Sequence, residues 1–160
     1  MRIRKRHRLK RKEIRRFSED ISNQIGVPVF TEEDIVDLGT GPDFDAIYVN
    51  GKILAFIQEE KPFLTVRGLL EYGAKKKFVT VDMGAVGFVA NGADIMGPGI
   101  VDAEGGIQEG DYVWIRDENN LRPLAVGKAL ASGSDMVRKE GKMVVSLIYV
   151  GDKLWKLDED

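Results

Sequence analysis

The chain has 160 residues, of which 43% are hydrophobic, and this is enough to bury the core of one or two small domains. It contains no cysteine and a single histidine, His7, which excludes disulfides, thiolate metal sites, cysteine nucleophiles and sites that need several histidines. No apolar run approaches the roughly 18 residues of a membrane span. We therefore expect a cytoplasmic protein that has no membrane partner.

The charge is distributed very unevenly along the chain. The whole chain has 24 lysines and arginines against 26 acids, yet residues 1–16 hold ten of the basic residues and one acid, Glu13. A basic arm on an acidic body favours binding to a polyanion, with nucleic acid the first candidate, although a solubilising or targeting tail has the same composition. The arm residues that we predict to contact RNA are Arg4, Arg6, Arg8, Arg11 and Lys12.

An amphipathic helix is predicted next, over residues 10–25, and Gly26 is suited to end it. Apolar residues recur at helical spacing at Ile14, Phe17, Ile21 and Ile25. Basic residues crowd the helix start, where the dipole disfavours cations, which suggests that something other than helix stability selects them. The sequence leaves open whether the arm extends this helix or is a disordered tail that folds on binding.

The rest of the first half is predicted to be strands followed by a short helix. Residues 27–38 are predicted to form a strand with a turn. Residues 45–49 and 52–58 are apolar runs joined by Asn50-Gly51, a dipeptide that favours the type I′ turn of a β-hairpin. A short helix over residues 65–72 follows, with a threonine at its N-cap and a glycine at its end.

A domain junction is predicted near residues 73–77, where the pattern is interrupted. It divides the chain into a basic arm with a first domain, residues 1–74, and a second domain, residues 75–160. Three lysines at the junction are further candidates for RNA contact, namely Lys75, Lys76 and Lys77. A solvated face between the domains explains them equally well.

The second half begins with a predicted strand over residues 78–81 and a helix over residues 83–91 that Asp82 caps. We assign Ala85, Phe88 and Val89 to the buried side of this helix. Short strands are then predicted around residues 95, 100–101, 112–116, 123–131, 143–150 and 153–157. Hairpin turns are predicted at Asn119-Asn120 and Gly151-Asp152, and Trp155 is placed in the last strand.

Many short strands beside one helix are typical of a small β-barrel, and the predicted class is α+β, with a small α/β domain before the barrel. Gly92, Gly97, Pro98 and Gly99 make a loop whose backbone a ligand can approach closely, because few Cβ atoms are in the way. Gly84 near a helix start would also admit an anion, although Asp82 beside it would repel one. The plainer interpretation is that these glycines only turn the chain.

The most specific segment is Val81-Asp-Met-Gly-Ala-Val-Gly-Phe-Val-Ala-Asn-Gly-Ala-Asp-Ile-Met-Gly-Pro-Gly-Ile100. It resembles the core of a PUA domain, the RNA-binding pseudo-barrel of pseudouridine synthases and archaeosine transglycosylases. Two later segments look like further strands of that family: Gln108-Glu-Gly-Asp-Tyr-Val-Trp-Ile115 and Arg122-Pro-Leu-Ala-Val-Gly-Lys-Ala129. In the first half, Val49-Asn-Gly-Lys-Ile-Leu-Ala-Phe56 and Pro62-Phe-Leu-Thr-Val-Arg-Gly-Leu-Leu70 look like the domain before PUA in the malignant T-cell amplified sequence protein and its archaeal relatives.

The resemblance implies where RNA would bind. In the family, the loop after the helix lies along RNA, often at the tRNA acceptor end. The matching positions here are Gly84, Ala85, Asn91, Gly92, Ala93, Asp94, Met96, Pro98 and Gly99. Related sequences often carry a basic residue where this chain has Gly87 and another where it has Gly97, so two possible phosphate contacts are missing.

Two hypotheses of function follow from the resemblance. In the first, the protein is a non-catalytic RNA-binding protein of translation that holds a tRNA acceptor end or rRNA on the small ribosomal subunit, in initiation, re-initiation or tRNA release. A protein with an initiation-factor-like domain would then be its partner. In the second, it is an accessory tRNA-binding subunit of a modifying enzyme such as archaeosine transglycosylase. No motif indicates a cofactor, a metal or catalysis.

Overall fold

A computed structural model describes residues 2–158, and its backbone forms one sheet from each half of the chain. Its elements are β1 (Arg4–Arg8), α1 (Arg11–Ile25), β2 (Val36–Thr40), β3 (Asp45–Val49), β4 (Lys52–Gln58), β5 (Lys61–Leu64), α2 (Val66–Tyr72), β6 (Phe78–Val81), α3 (Met83–Ala90), β7 (Ile95–Met96), β8 (Ile100–Ala103), β9 (Tyr112–Asp117), β10 (Pro123–Ala129), β11 (Lys142–Tyr149) and α4 (Lys153–Leu157). The predicted α+β class is confirmed.

The first sheet is antiparallel and has the order β1-β2-β3-β4-β5. Helix α1 buries Ile14, Ile21 and Ile25, three of the four residues that the helical spacing selected. It ends where Gly26 adopts a left-handed conformation with φ of 77°. The predicted hairpin is present, and both Asn50 (φ 51°) and Gly51 (φ 89°) have the positive φ that a type I′ turn requires.

Residues 4–8 of the basic arm are neither a helix extension nor a tail, because they form strand β1 at the edge of the first sheet, whereas Arg11 and Lys12 lie in the first turn of α1. All five residues of this strand are exposed, and it pairs with β2. Buried Leu9 anchors the arm, and its backbone N–H donates to the Val36 carbonyl (2.9 Å). The free edge of β2 offers backbone groups that the arm satisfies, and a local sequence pattern does not reveal such long-range pairing.

Two further expectations for the first half need correction. Only the end of the predicted strand over residues 27–38 belongs to a strand, β2, which begins at Val36. Strand β5 was missed because it contains Pro62, which cannot donate to a ladder. The strand is possible because it lies at the sheet edge, next to β4 alone.

The second sheet is mixed and has the order β7-β11-β10-β9-β6-β8, which makes a nearly closed pseudo-barrel. Strand β6 runs parallel to β9 and antiparallel to β8. The predicted N-cap is present, since the Asp82 carboxylate accepts a hydrogen bond from the Ala85 N–H (3.0 Å). The turn at Asn119-Asn120 joins β9 to β10 as predicted.

The predicted last strand over residues 153–157 is wrong, because these residues form helix α4. Asp152 therefore caps a helix rather than making a hairpin turn, and its carboxylate accepts from the Trp155 N–H (2.9 Å). Trp155 therefore lies in this helix and not in a strand, and its ring lies 3.7 Å from the Arg67 guanidinium of the first half. The adjoining Asp158 carboxylate accepts from the Ile53 N–H (3.0 Å), which fastens this segment to β4.

The two halves share one hydrophobic cluster, in which Tyr112 of β9 contacts the first sheet. Its ring centroid lies 5.4 Å from that of Phe56 and 5.8 Å from that of Phe63. Its hydroxyl donates to the Gln58 carbonyl (2.8 Å). The boundary near residues 73–77 remains a prediction, because packing runs across it.

Asp117 holds the turn between β9 and β10, and its replacement by alanine is expected to lower the free energy of unfolding by about 3 kcal/mol. Its buried carboxylate accepts from the N–H groups of Asn120 (2.6 Å), Asn119 (3.0 Å) and Arg122 (3.2 Å). These bonds, that of Asn120 foremost, lower the pKa of Asp117. The Asp117 carboxylate therefore stabilises the fold fully above the pKa that aspartate has in the unfolded chain, roughly 3.9. This stabilisation is lost as the pH falls through the lower pKa that Asp117 has in the folded protein.

Thermal unfolding between pH 2 and 7 measures this effect, with Glu118→Ala as the exposed neighbouring control. In the Asp117→Ala variant, the loss of stability on acidification should be smaller than in the wild type. An equal loss in both proteins would contradict the assigned role of Asp117.

Candidate nucleic-acid interface

A groove of about 400 Å³ lies between α3 and the segment that follows it. Seven of the nine predicted RNA-binding positions of the second half line this groove, namely Gly84, Ala85, Ala93, Asp94, Met96, Pro98 and Gly99. The other two, Asn91 and Gly92, lie at the end of α3 outside the lining. The Asn91 amide donates to the Gly87 carbonyl (2.8 Å), and Gly92 packs under the ring of Tyr149 with φ of 93°.

The assignment of Phe88 to the buried side of α3 is wrong. Its side chain is 71% exposed and borders the groove, and Met96 beside it is 48% exposed. Helix α3 is apolar on nearly all sides, so its periodicity does not identify which side turns inward. The pseudo-barrel buries Val89, and the ring of Phe88 therefore faces solvent.

The two acids of the groove are paired with cations from a distant part of the chain. Asp82 meets Arg138 at 3.0 Å, and Asp94 meets Lys142 at 2.9 Å. The hydrogen bond from Lys142 holds the pKa of Asp94 below its usual range. Asp82 was expected to repel an anion, but this neutralisation leaves the groove open to a negatively charged ligand.

Sequence reasoning missed the contribution of residues 138–142, which lie more than 40 positions from α3. Arg138 also donates to the Pro98 carbonyl, and Lys142 pairs with Met96 across β7 and β11. The backbone approaches Gly97 so closely that a Cβ there would lie 1.8 Å from the Lys139 carbonyl oxygen. In the sequence, the basic character of residues 138–142 was the one sign of a role in binding. No local pattern connects these residues to the groove beside α3.

The structure separates the predicted arm residues into two kinds. Arg6 and Arg8 pair with buried Asp37 through their Nε atoms, at 3.1 and 2.6 Å, and Arg8 foremost lowers the pKa of that carboxyl. Arg4, Arg11 and Lys12 are exposed and form no ion pair with any acid of residues 2–158. Arg4, Arg11 and Lys12 are therefore the predicted arm residues whose positive charges are available to a ligand.

The junction lysines lie beside a large polar groove of about 1210 Å³ between α1 and the second half. Lys76, Lys77 and Lys12 of the arm all line it, and so do Glu19 and Glu104. Lys77 is committed to the fold, because its Nζ pairs with Asp111 at 2.6 Å. Lys75 and Lys76 are exposed.

Within residues 2–158, no group of three or more histidine or acidic side chains is placed to hold a metal ion. Among the helices of residues 2–158, none combines the length and the apolar character that a membrane span requires.

Two family models match the chain: the PUA domain over residues 77–150 and a domain of unknown function, DUF1947, over residues 5–72. The pseudo-barrel and its groove thus define a PUA-domain protein. The chain belongs to the family in which a DUF1947 domain precedes the PUA domain, as the resemblance to archaeal relatives of the malignant T-cell amplified sequence protein implied.

Relatives cover most of the chain. The uncharacterized protein MJ1432 of Methanocaldococcus jannaschii is 37% identical over 97% of this chain and 98% of its own length. Translation machinery-associated protein 20 of Eremothecium gossypii is 29% identical over 92% of this chain and 84% of its own. Malignant T-cell-amplified sequence 1 of Rattus norvegicus is 32% identical over 71% of this chain and 65% of its own length. Among solved structures, hypothetical protein PH0734.1 of Pyrococcus horikoshii superposes with a TM-score of 0.84 at 32% identity, covering 96% of this chain and 99% of that one.

Proposed function

We propose that this protein is a non-catalytic RNA-binding protein of translation, and that its PUA groove holds an unpaired RNA end, the acceptor end of tRNA or a segment of rRNA. The observation that carries the proposal is the ring of Phe88, which is 71% exposed beside an apolar groove. Together with the exposed Met96 of the same groove, this ring forms a continuous apolar patch, which is typical of a ligand-binding groove. Unpaired bases are ligands that stack on such aromatic rings.

The charges around the groove support an RNA ligand. Arg138 and Lys142 neutralise Asp82 and Asp94, so a phosphate that accompanies the base does not meet a negative rim. Arg4, Arg11 and Lys12 at the other half would attract phosphates without reading sequence. The groove would then hold the RNA end while the arm contacts the backbone of a larger RNA.

The names of the relatives support a place in translation, since one is a translation machinery-associated protein. We infer that the protein acts on the small ribosomal subunit, in initiation, re-initiation or tRNA release, with an initiation-factor-like protein as a possible partner. Sedimentation of the purified protein with small subunits tests this placement. Sedimentation only at the top of the gradient, together with co-purification of a transglycosylase, would favour an accessory role in tRNA modification.

Phe88→Ala is expected to weaken the binding of an intact tRNA by about tenfold, because stacking of one base on an aromatic ring contributes about 1–3 kcal/mol. Binding of the same tRNA without its 3′ single-stranded end should be weaker and unaffected by the change. Fluorescence titration at several salt concentrations measures both contributions to the affinity. Contacts to phosphates make the affinity fall with salt concentration, whereas the loss of stacking in Phe88→Ala should lower the affinity at every salt concentration.

Leu130→Ala is the matched control for Phe88→Ala, since Leu130 is 41% exposed and lies outside the groove. Equal affinities of Phe88→Ala and wild type for intact tRNA would show that the groove does not hold the RNA end. A Gly92 variant is unsuitable, because its positive φ and contact with Tyr149 would disturb the fold.

A further inference from the structure

A second apolar groove, of about 380 Å³, lies between α2 of the first half and the β9–β10 hairpin of the second. It shares no lining residue with the PUA groove. Two leucines stand on its rim, Leu70 with 46% and Leu121 with 48% of their surface exposed. Two apolar side chains from different halves of the protein thus face solvent beside one hollow.

Leu121 occupies a backbone conformation that leucine rarely adopts. Its φ is 56°, in the left-handed region where asparagine, aspartate and glycine are favoured. Asn119 and Asn120 precede it, yet the positive φ falls on the leucine, whose N–H donates to the Asp117 carbonyl (3.0 Å). The backbone of Leu121 thus belongs to the turn, but its half-exposed side chain contributes little to the core, and such backbone strain is typical of functional positions.

Two arginines give the groove its charge. Arg116 and Arg122 line it, and neither forms an ion pair with an acid of residues 2–158. The Arg116 guanidinium carbon lies over the Phe78 ring, 3.8 Å from its centroid, and its Nε donates to the Thr80 hydroxyl (2.9 Å). These contacts fix the guanidinium in place while its remaining donors stay available for a carboxylate.

We propose that this groove docks a protein partner, through a segment that places an apolar side chain between Leu70 and Leu121 and a carboxylate on Arg116 and Arg122. The proposal is separate from RNA binding and does not rest on it. Aliphatic side chains without a π-face suit a protein better than a nucleic acid base. Trp114, the aromatic residue of the groove, is only 4% exposed, so it offers no stacking surface.

Selection of random linear peptides on the full chain, with counter-selection on Leu121→Asn, tests the proposal. Enriched peptides should carry an apolar residue near aspartate or glutamate, and synthetic copies should bind the wild type at least tenfold more tightly than Leu121→Asn or Arg122→Glu. Because asparagine is favoured at this φ, Leu121→Asn should keep or raise the melting temperature, so weaker binding would not reflect unfolding.

Leu130→Asn is the control variant, and it should bind the selected peptides like the wild type. Enrichment of peptides that bind Leu121→Asn equally well would overturn the proposal. An RNA oligonucleotide that displaces the peptide from the wild type, and whose own direct binding is lost in Arg122→Glu, would also overturn it, because the groove would then be an RNA surface.

Discussion

Replacement of Tyr112 by alanine is expected to lower the free energy of unfolding by about 3–5 kcal/mol, the cost of removing a large buried aromatic side chain. Tyr112 is 3% exposed and joins the second half to Phe56 and Phe63 of the first. Burial raises the pKa of its hydroxyl to about 12, so the group remains protonated and donates to the Gln58 carbonyl at neutral pH. The cavity would open at the contact between the halves, and both should lose stability together.

Denaturant unfolding, followed by tryptophan fluorescence and by far-ultraviolet circular dichroism, measures this loss. Tyr112→Phe is the matched control, since it removes one hydrogen bond and is expected to cost about 1 kcal/mol. Both probes should report one transition in the wild type, because the halves share a cluster. A loss below 1 kcal/mol in Tyr112→Ala would mean that the halves are stable independently.

Gly97→Ala is expected to destabilise the protein by about 3 kcal/mol or more, because overpacking against a backbone group forces the chain to move. The added Cβ would lie 1.8 Å from the Lys139 carbonyl oxygen, at the point where β7 passes the 138–142 segment. That displacement would move Pro98 and Gly99, so the affinity of the PUA groove for RNA should fall as well.

Gly87→Ala is the same chemical change with the opposite expected sign. No atom lies within 4 Å of a Cβ at this position, and replacement of glycine by alanine inside a helix is expected to stabilise it by up to about 1 kcal/mol. Melting temperatures of both variants measure the difference. Similar melting temperatures for Gly97→Ala and Gly87→Ala would contradict the close approach of Lys139.

The pair also bears on the two positions where the family resemblance implied that basic residues are missing. Gly87 is exposed and has room for a lysine side chain, whereas Gly97 is buried against backbone. Only the first position can therefore regain a phosphate contact by substitution.

Local chemistry in the sequence determined much of the fold. The spacing of Ile14, Ile21 and Ile25, the turn at Asn50-Gly51 and the cap at Asp82 each depend on interactions within a few residues. The family resemblance carried by the motif before Ile100 implied nine RNA-binding positions, and seven of them line the PUA groove.

Only the tertiary structure decided which apolar side chains stay exposed and which charges are already paired. Phe88 faces solvent because the barrel needs a different side of a uniformly apolar helix, and Arg8 is bound to Asp37, 29 positions away. The arm became a strand because a sheet edge was free, and Trp155 became part of a helix that packs on Arg67. Each outcome depends on contacts between residues far apart in the chain, which local periodicity and composition do not encode.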